Sequence, residues 1–164
     1  MIILIESIIL CIVFTVIVYI ISRNPIKTLY NYPPKIQERI KSQDYYKEEI
    51  PKETNKIFAK IIASILFLSL LSILLKYVNG YETFQDAFLY GFLLWTIVNL
   101  YDLVVLDIIW FCHDKYFILK GSEDMIEEYH NYRFHFKGFL IGEILGLIIC
   151  FLSGIIIQFI FGII

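Results

Sequence analysis

Asp102, Asp107 and Glu143 are the residues of this chain best suited to chemistry, because each carries a carboxylate inside an otherwise apolar run. A charged side chain at the middle of a bilayer costs roughly 2.5–3.5 kcal/mol on an insertion scale, so it needs a partner or a task. Three histidines, His113, His130 and His135, lie near the same level of the chain. Two kinds of chemistry suit such a set. Carboxylates and imidazoles together bind divalent metals, and the residues that would do so here are Asp102, His135, Glu143, His113 and His130. Paired acids in a low dielectric share a proton and relay it, and Asp102, Asp107, Glu143 and His135 are the candidates for binding a proton or an ion. A divalent metal is the one cofactor that this residue set suggests.

The spacing is specific for neither use. There is no HExxH motif, and His130 and His135, five apart, do not share an α-helical face. Asp102 and Asp107 are also five apart, about 140° around an α-helix, so they cannot face one site unless the helix is distorted. No phosphate-cradling glycine loop, nucleophile elbow or dinucleotide fingerprint occurs.

The elements that must position these groups are four apolar runs, at about 2–22, 57–77, 87–111 and 138–164. Each is long enough to cross a bilayer as a helix. The chain is 59% hydrophobic, and its mean hydropathy is +0.71. That excludes an ordinary soluble domain, in which apolar usage is nearer one half. The expected fold is all-α: one integral membrane domain over residues 1–164, a four-helix transmembrane bundle with short helices in two connections. The first run lacks a basic leader and a small-residue cleavage site, so it reads as a helix and not a signal peptide. A net charge of −2 gives no footprint for nucleic acid. The three cysteines, Cys11, Cys112 and Cys150, form no metal spacing and read as small apolar packing residues.

If helix three runs inward from residue 87, Asp102 lies about 22 Å deep and Asp107 about 30 Å. Helix four returns outward from residue 138, so Glu143 is about 8 Å from the inner surface. Asp102 and Glu143 are therefore expected at one depth, with Asp107, His113 and His135 just below. Asn99, Tyr101 and Trp110 add polar groups on helix three. At the opposite end Glu6 and Gln158 share a level, and Glu6 reads as an interfacial acid.

Basic residues set the orientation. The connection 23–56 holds eight of them and the connection 112–137 holds four, while 78–86 and the two tails hold none. The positive-inside rule then places both long connections in the cytoplasm and both termini outside, in a plasma or inner membrane. Pro33 and Pro34 can open a short amphipathic helix bearing Ile36 and Ile40, lying on the membrane or against the bundle. Ser122 reads as the N-cap of a second short helix reaching about Arg133.

Gly138, Gly142, Gly146, Cys150 and Gly154 recur every four residues along the fourth run, and Gly162 extends the row. Small residues at this spacing let another helix approach closely. The partner is helix one or three of this chain, or a second copy. The segments Asn31-Tyr-Pro-Pro-Lys-Ile-Gln-Glu-Arg and Phe134-His-Phe-Lys-Gly resemble stretches of small, uncharacterised multi-pass membrane proteins of bacteria. That resemblance implies a membrane fold and no catalytic residue. Three function classes follow: a small cation- or proton-handling transporter or transporter subunit; a membrane-embedded enzyme acting on a lipid-like substrate; and a non-catalytic partner that docks another membrane protein, or its own copy, through the glycine face. The bilayer is the one partner common to all three.

Overall fold

The first long helix, α1 (Ile2–Ser22), is apolar on all sides, and most of its isoleucines and valines are exposed, as a lipid-facing helix requires. The computed structural model describes residues 2–160. Among these it contains helices and no strands, and four helical stretches are long and apolar enough to span a membrane: Ile2–Ser22, Lys60–Val78, Phe84–Phe111 and Ile126–Ile160. The expected all-α architecture is therefore observed.

Local chemistry sets the helix ends. The second long helix, α3 (Glu53–Ile73), begins just after Pro51 and ends in a π-helical turn, Leu74–Val78. The third, α4 (Phe84–Tyr101), begins three residues before the apolar run. Thr83 caps it by accepting from the Asp86 amide at 3.2 Å. The fourth, α6 (Tyr132–Ile155), begins six residues earlier than its hydropathy suggests. Its cap is Asn131, which accepts from the Phe134 amide at 3.2 Å. The early start puts His135 on the helix and not at its mouth. Gly162 and the end of the fourth run lie outside the described residues.

The glycine row of α6 faces α4, so the seam is made within the chain. A methyl group added at Gly142 would lie 2.7 Å from the Asn99 side-chain oxygen, and one at Gly154 would lie 2.7 Å from the Phe84 ring. At Gly146 it would overlap the Trp95 indole, whereas Gly138 faces open space. Leu71, Leu75, Ala87, Ile149, Cys150 and Ile157 fill the core beside this seam. All three cysteines are free thiols, with Cys112 and Cys150 buried.

The two long connections fold against each other at one end of the bundle and form a second core. Helix α2 (Pro34–Lys41) turns Ile36 and Ile40 inward, both fully buried, toward Leu29, Tyr32, Leu119 and Tyr129. It therefore packs on the other connection. The Tyr32 hydroxyl donates to the Phe117 carbonyl at 3.1 Å, and Gln43 donates to the Gly121 carbonyl at 3.0 Å. Lys35 pairs with Glu128, and Arg39 with Asp124. The second short helix, α5 (Ile126–Tyr129), is shorter than expected. Ser122 does not cap it, because the serine hydroxyl is buried, donates to the Leu119 carbonyl at 2.7 Å and bonds the Tyr129 hydroxyl.

Candidate functional site

Polar side chains enter the bundle along one helix, α4, and each finds its partner at a different level. At the end away from the long connections, Glu6 of α1 accepts from Asn79 at 2.9 Å and from Tyr90 at 2.8 Å. Glu6 thus ties α1 to the end of α3 and to α4. Gln158 does not join it; its oxygen accepts from the Phe84 amide at 3.1 Å and closes the start of α4.

Midway along, Glu143 meets Asn99 and Thr96 and not Asp102. Thr96 donates to one carboxylate oxygen at 2.8 Å, and Asn99 donates to the other at 2.7 Å. Asn99 also donates to the Phe139 carbonyl at 3.0 Å, and Trp95 donates to the Gly142 carbonyl at 3.0 Å. Both oxygens of Glu143 are therefore served, and the three donors set the register of α6 against α4. Equal depth did not bring Asp102 to Glu143, because a helix presents different faces at successive residues.

The next level is built by a change of helical pitch. From Asp102 to Phe111 the third span is π-helical, and the Cys112 amide bonds the Asp107 carbonyl at 3.0 Å, five residues back. A π-helix stacks residues about five apart, whereas an α-helix separates them. Asp102 and Asp107 thus come onto one side of the span, and each lies in the electrostatic field of the other.

Across from them stands His135 of α6. Its Nδ1 lies 3.0 Å from an Asp107 carboxylate oxygen, and the residue is only 4% exposed. Phe111 and Phe134 close on the ring at centroid distances of 5.3 and 5.4 Å. The Cys112 thiol is a second polar neighbour within interaction range of the imidazole, though it makes no hydrogen bond of good geometry with Nε2. The other ring nitrogen, Nε2, is buried and has no hydrogen-bond partner among the described residues. Buried polar atoms nearly always have a partner, so an orphaned one asks for a ligand, a water or a proton acceptor. Asp102 accepts no hydrogen bond among the described residues, yet it feels both Asp107 and His135.

His113 and His130 stand apart, between the end of the third span and the start of α6. Their rings stack at 5.1 Å, and the His113 Nδ1 lies 2.7 Å from the Ile108 carbonyl. The five candidate metal ligands are thus divided over three places: Glu143 with Asn99 and Thr96, Asp102 with His135, and His113 with His130. Among the described residues no three His, Cys, Asp or Glu side chains converge as metal ligands would. Sequence spacing missed Thr96 and Trp95 as partners of α6, although Thr96 and Asn99, three apart, share a helical face. No protein-family model, curated protein or solved structure matches the chain.

Proposed function

We propose that this chain is a small proton-handling transporter, or a subunit of one, and that Asp102, Asp107 and His135 are the residues that hold and pass the proton. The observation that carries the reading is the buried contact of His135 with Asp107, 3.0 Å long, with an unpartnered Nε2 on the other side of the ring. An imidazole held on one nitrogen by a carboxylate can take up a proton on the other and release it later. Asp102 supplies a second carboxylate that accepts no hydrogen bond among the described residues and lies within the field of that ring. Ionisable groups inside a membrane bundle commonly mark such a path.

In this reading Glu143 is a register group, since its two oxygens are occupied by Thr96 and Asn99. The basic connections lie in the cytoplasm by the positive-inside rule, which places the Asp107–His135 pair in the inner part of a plasma or inner membrane. The same Nε2 also favours a second reading, a general base acting on a lipid-like substrate. Proteoliposomes carrying a pH-sensitive dye test the first. The purified protein dissipates an imposed pH gradient, and Asp102→Asn and His135→Gln abolish this while Glu143→Gln retains it. Gradient decay no faster than in empty liposomes refutes the proposal. Release of a lipid headgroup by the same vesicles would favour the second reading.

A further inference from the structure

Below the end of the third span is a cavity of about 150 Å³, formed where the connection after Phe111 folds back toward α5. It borders the surroundings of His135 through Phe111 and Cys112, but none of Asp102, Asp107 and His135 lines it. Phe111 and Ile118 provide apolar wall, and His113, Asp114, Lys115 and His130 bring polar side chains to its rim. The span ends at Phe111, and the preceding Trp110 stacks on Tyr19 at 6.3 Å. Paired aromatic rings of this kind belong at the boundary between hydrocarbon and headgroups. The cavity therefore opens at headgroup level, on the side of the basic connections.

The donors and the acceptor around it are unequally used. Asp114 is the one carboxylate in the lining, and both its oxygens are occupied. One accepts from Trp110 Nε1 at 3.2 Å, the other from the Tyr116 amide at 2.9 Å. The Tyr129 hydroxyl is engaged by Ser122 and by the Leu119 amide. Lys115 forms no ion pair among the described residues, and His130 makes ring stacks but no side-chain hydrogen bond there. His113 holds its Nδ1 hydrogen against the Ile108 carbonyl, which leaves Nε2 free. His113 thus lines the cavity without supplying a donor of its own.

We propose that this cavity is a binding site for a phosphate group, carried by an anionic phospholipid headgroup or free in solution, with Lys115 and His130 as its donors and His113 beside them. The apolar wall suits the first methylenes of a lipid's acyl chains, and the free donors suit the phosphate oxygens.

The two sources separate in one set of experiments. The protein is extracted from vesicles of equal parts phosphatidylglycerol and phosphatidylcholine, and the retained lipid is read by native mass spectrometry. Phosphatidylglycerol is expected to be retained preferentially, and His130→Gln or Lys115→Ala lowers that retention about tenfold, the effect of losing one charge-assisted hydrogen bond. In parallel, inorganic phosphate is titrated into delipidated wild-type protein in dodecyl maltoside, and the imidazole ¹⁵N signals of His113 and His130 are followed. Movement of both signals without lipid retention supports the free anion as ligand. No preferential retention together with no movement overturns the proposal, as does retention that both variants leave unchanged. The wild-type titration keeps the test valid if a variant fails to fold. None of these readouts depends on proton flux.

Discussion

Adding a single methyl group at successive glycines of α6 should destabilise the protein at some and stabilise it at others. At Gly138 nothing lies within 4 Å of the added carbon, so Gly138→Ala meets no resistance. It removes glycine's excess backbone freedom and should stabilise by roughly 0.5–1 kcal/mol. At Gly142 the new carbon lies 2.7 Å from the Asn99 oxygen, and Asn99 cannot simply step aside. Its amide nitrogen is committed to Glu143 at 2.7 Å and to the Phe139 carbonyl at 3.0 Å. Losing a hydrogen bond to a charged group costs about 1.5–3 kcal/mol, and a neutral one about 1. Interhelical hydrogen bonds inside membranes run lower, near 0.6 kcal/mol, so a loss of about 1–2 kcal/mol after the backbone gain is expected for Gly142→Ala. At Gly146 the obstacle is the rigid Trp95 indole, itself tied to the Gly142 carbonyl at 3.0 Å, and overpacking there costs about 1–3 kcal/mol. For a chain of this size 1 kcal/mol corresponds to about 2–4 °C. Thermal unfolding in dodecyl maltoside should therefore show Gly138→Ala slightly above wild type, with Gly142→Ala and Gly146→Ala several degrees below. Equal shifts at the three positions would mean that α6 does not meet α4 through this face.

Other expectations concern single groups. Glu143→Gln preserves an acceptor for Asn99, and the Thr96 hydroxyl can rotate to accept from the new amide, so stability should change by less than about 1 kcal/mol. Glu143→Ala strands both partners and should lower stability by about 2 kcal/mol, read by the same unfolding assay. Tyr32 lies outside the spans, and burial pushes its phenol well above its ordinary value. The folded state thus favours the protonated phenol. Its contribution is complete below the unfolded value near pH 10 and is lost as pH rises beyond it. Tyr46 and Tyr129 of the same core are raised by burial too, so absorbance at 295 nm should show a late-ionising group of tyrosines, and Tyr32→Phe should shrink that late step by one phenol.

The spans were legible in the sequence because an apolar run of about twenty residues has few other uses. Their first residues were less so. Thr83 and Asn131 cap their helices upstream of the hydrophobic runs, where hydropathy carries no signal. Gly142 and Gly146 announced a close seam, but the ring that fills it, Trp95, could be identified only once α4 and α6 were set side by side. Depth counting set Asp102 and Glu143 at one level but could not say which faces they present, and Glu143 turns to Thr96 and Asn99. The fivefold spacing of Asp102 and Asp107 argued against a shared site on an α-helix, and that inference was sound for an α-helix. The span instead takes π-helical pitch from Asp102 to Phe111. Ser122 illustrates the same limit: its local pattern favours a cap, and the Tyr129 hydroxyl, seven residues away, takes it instead.

A double-mutant cycle on proton flux tests most directly whether Asp107 and His135 act as one unit. Asp107→Asn, His135→Gln and the two together are reconstituted at equal protein density, and decay of an imposed pH gradient is compared with wild type. Groups that work jointly are non-additive, so each single variant should lose nearly all the flux and the pair should lose little more. Independent, multiplying losses, or wild-type flux in either single variant, would contradict the account.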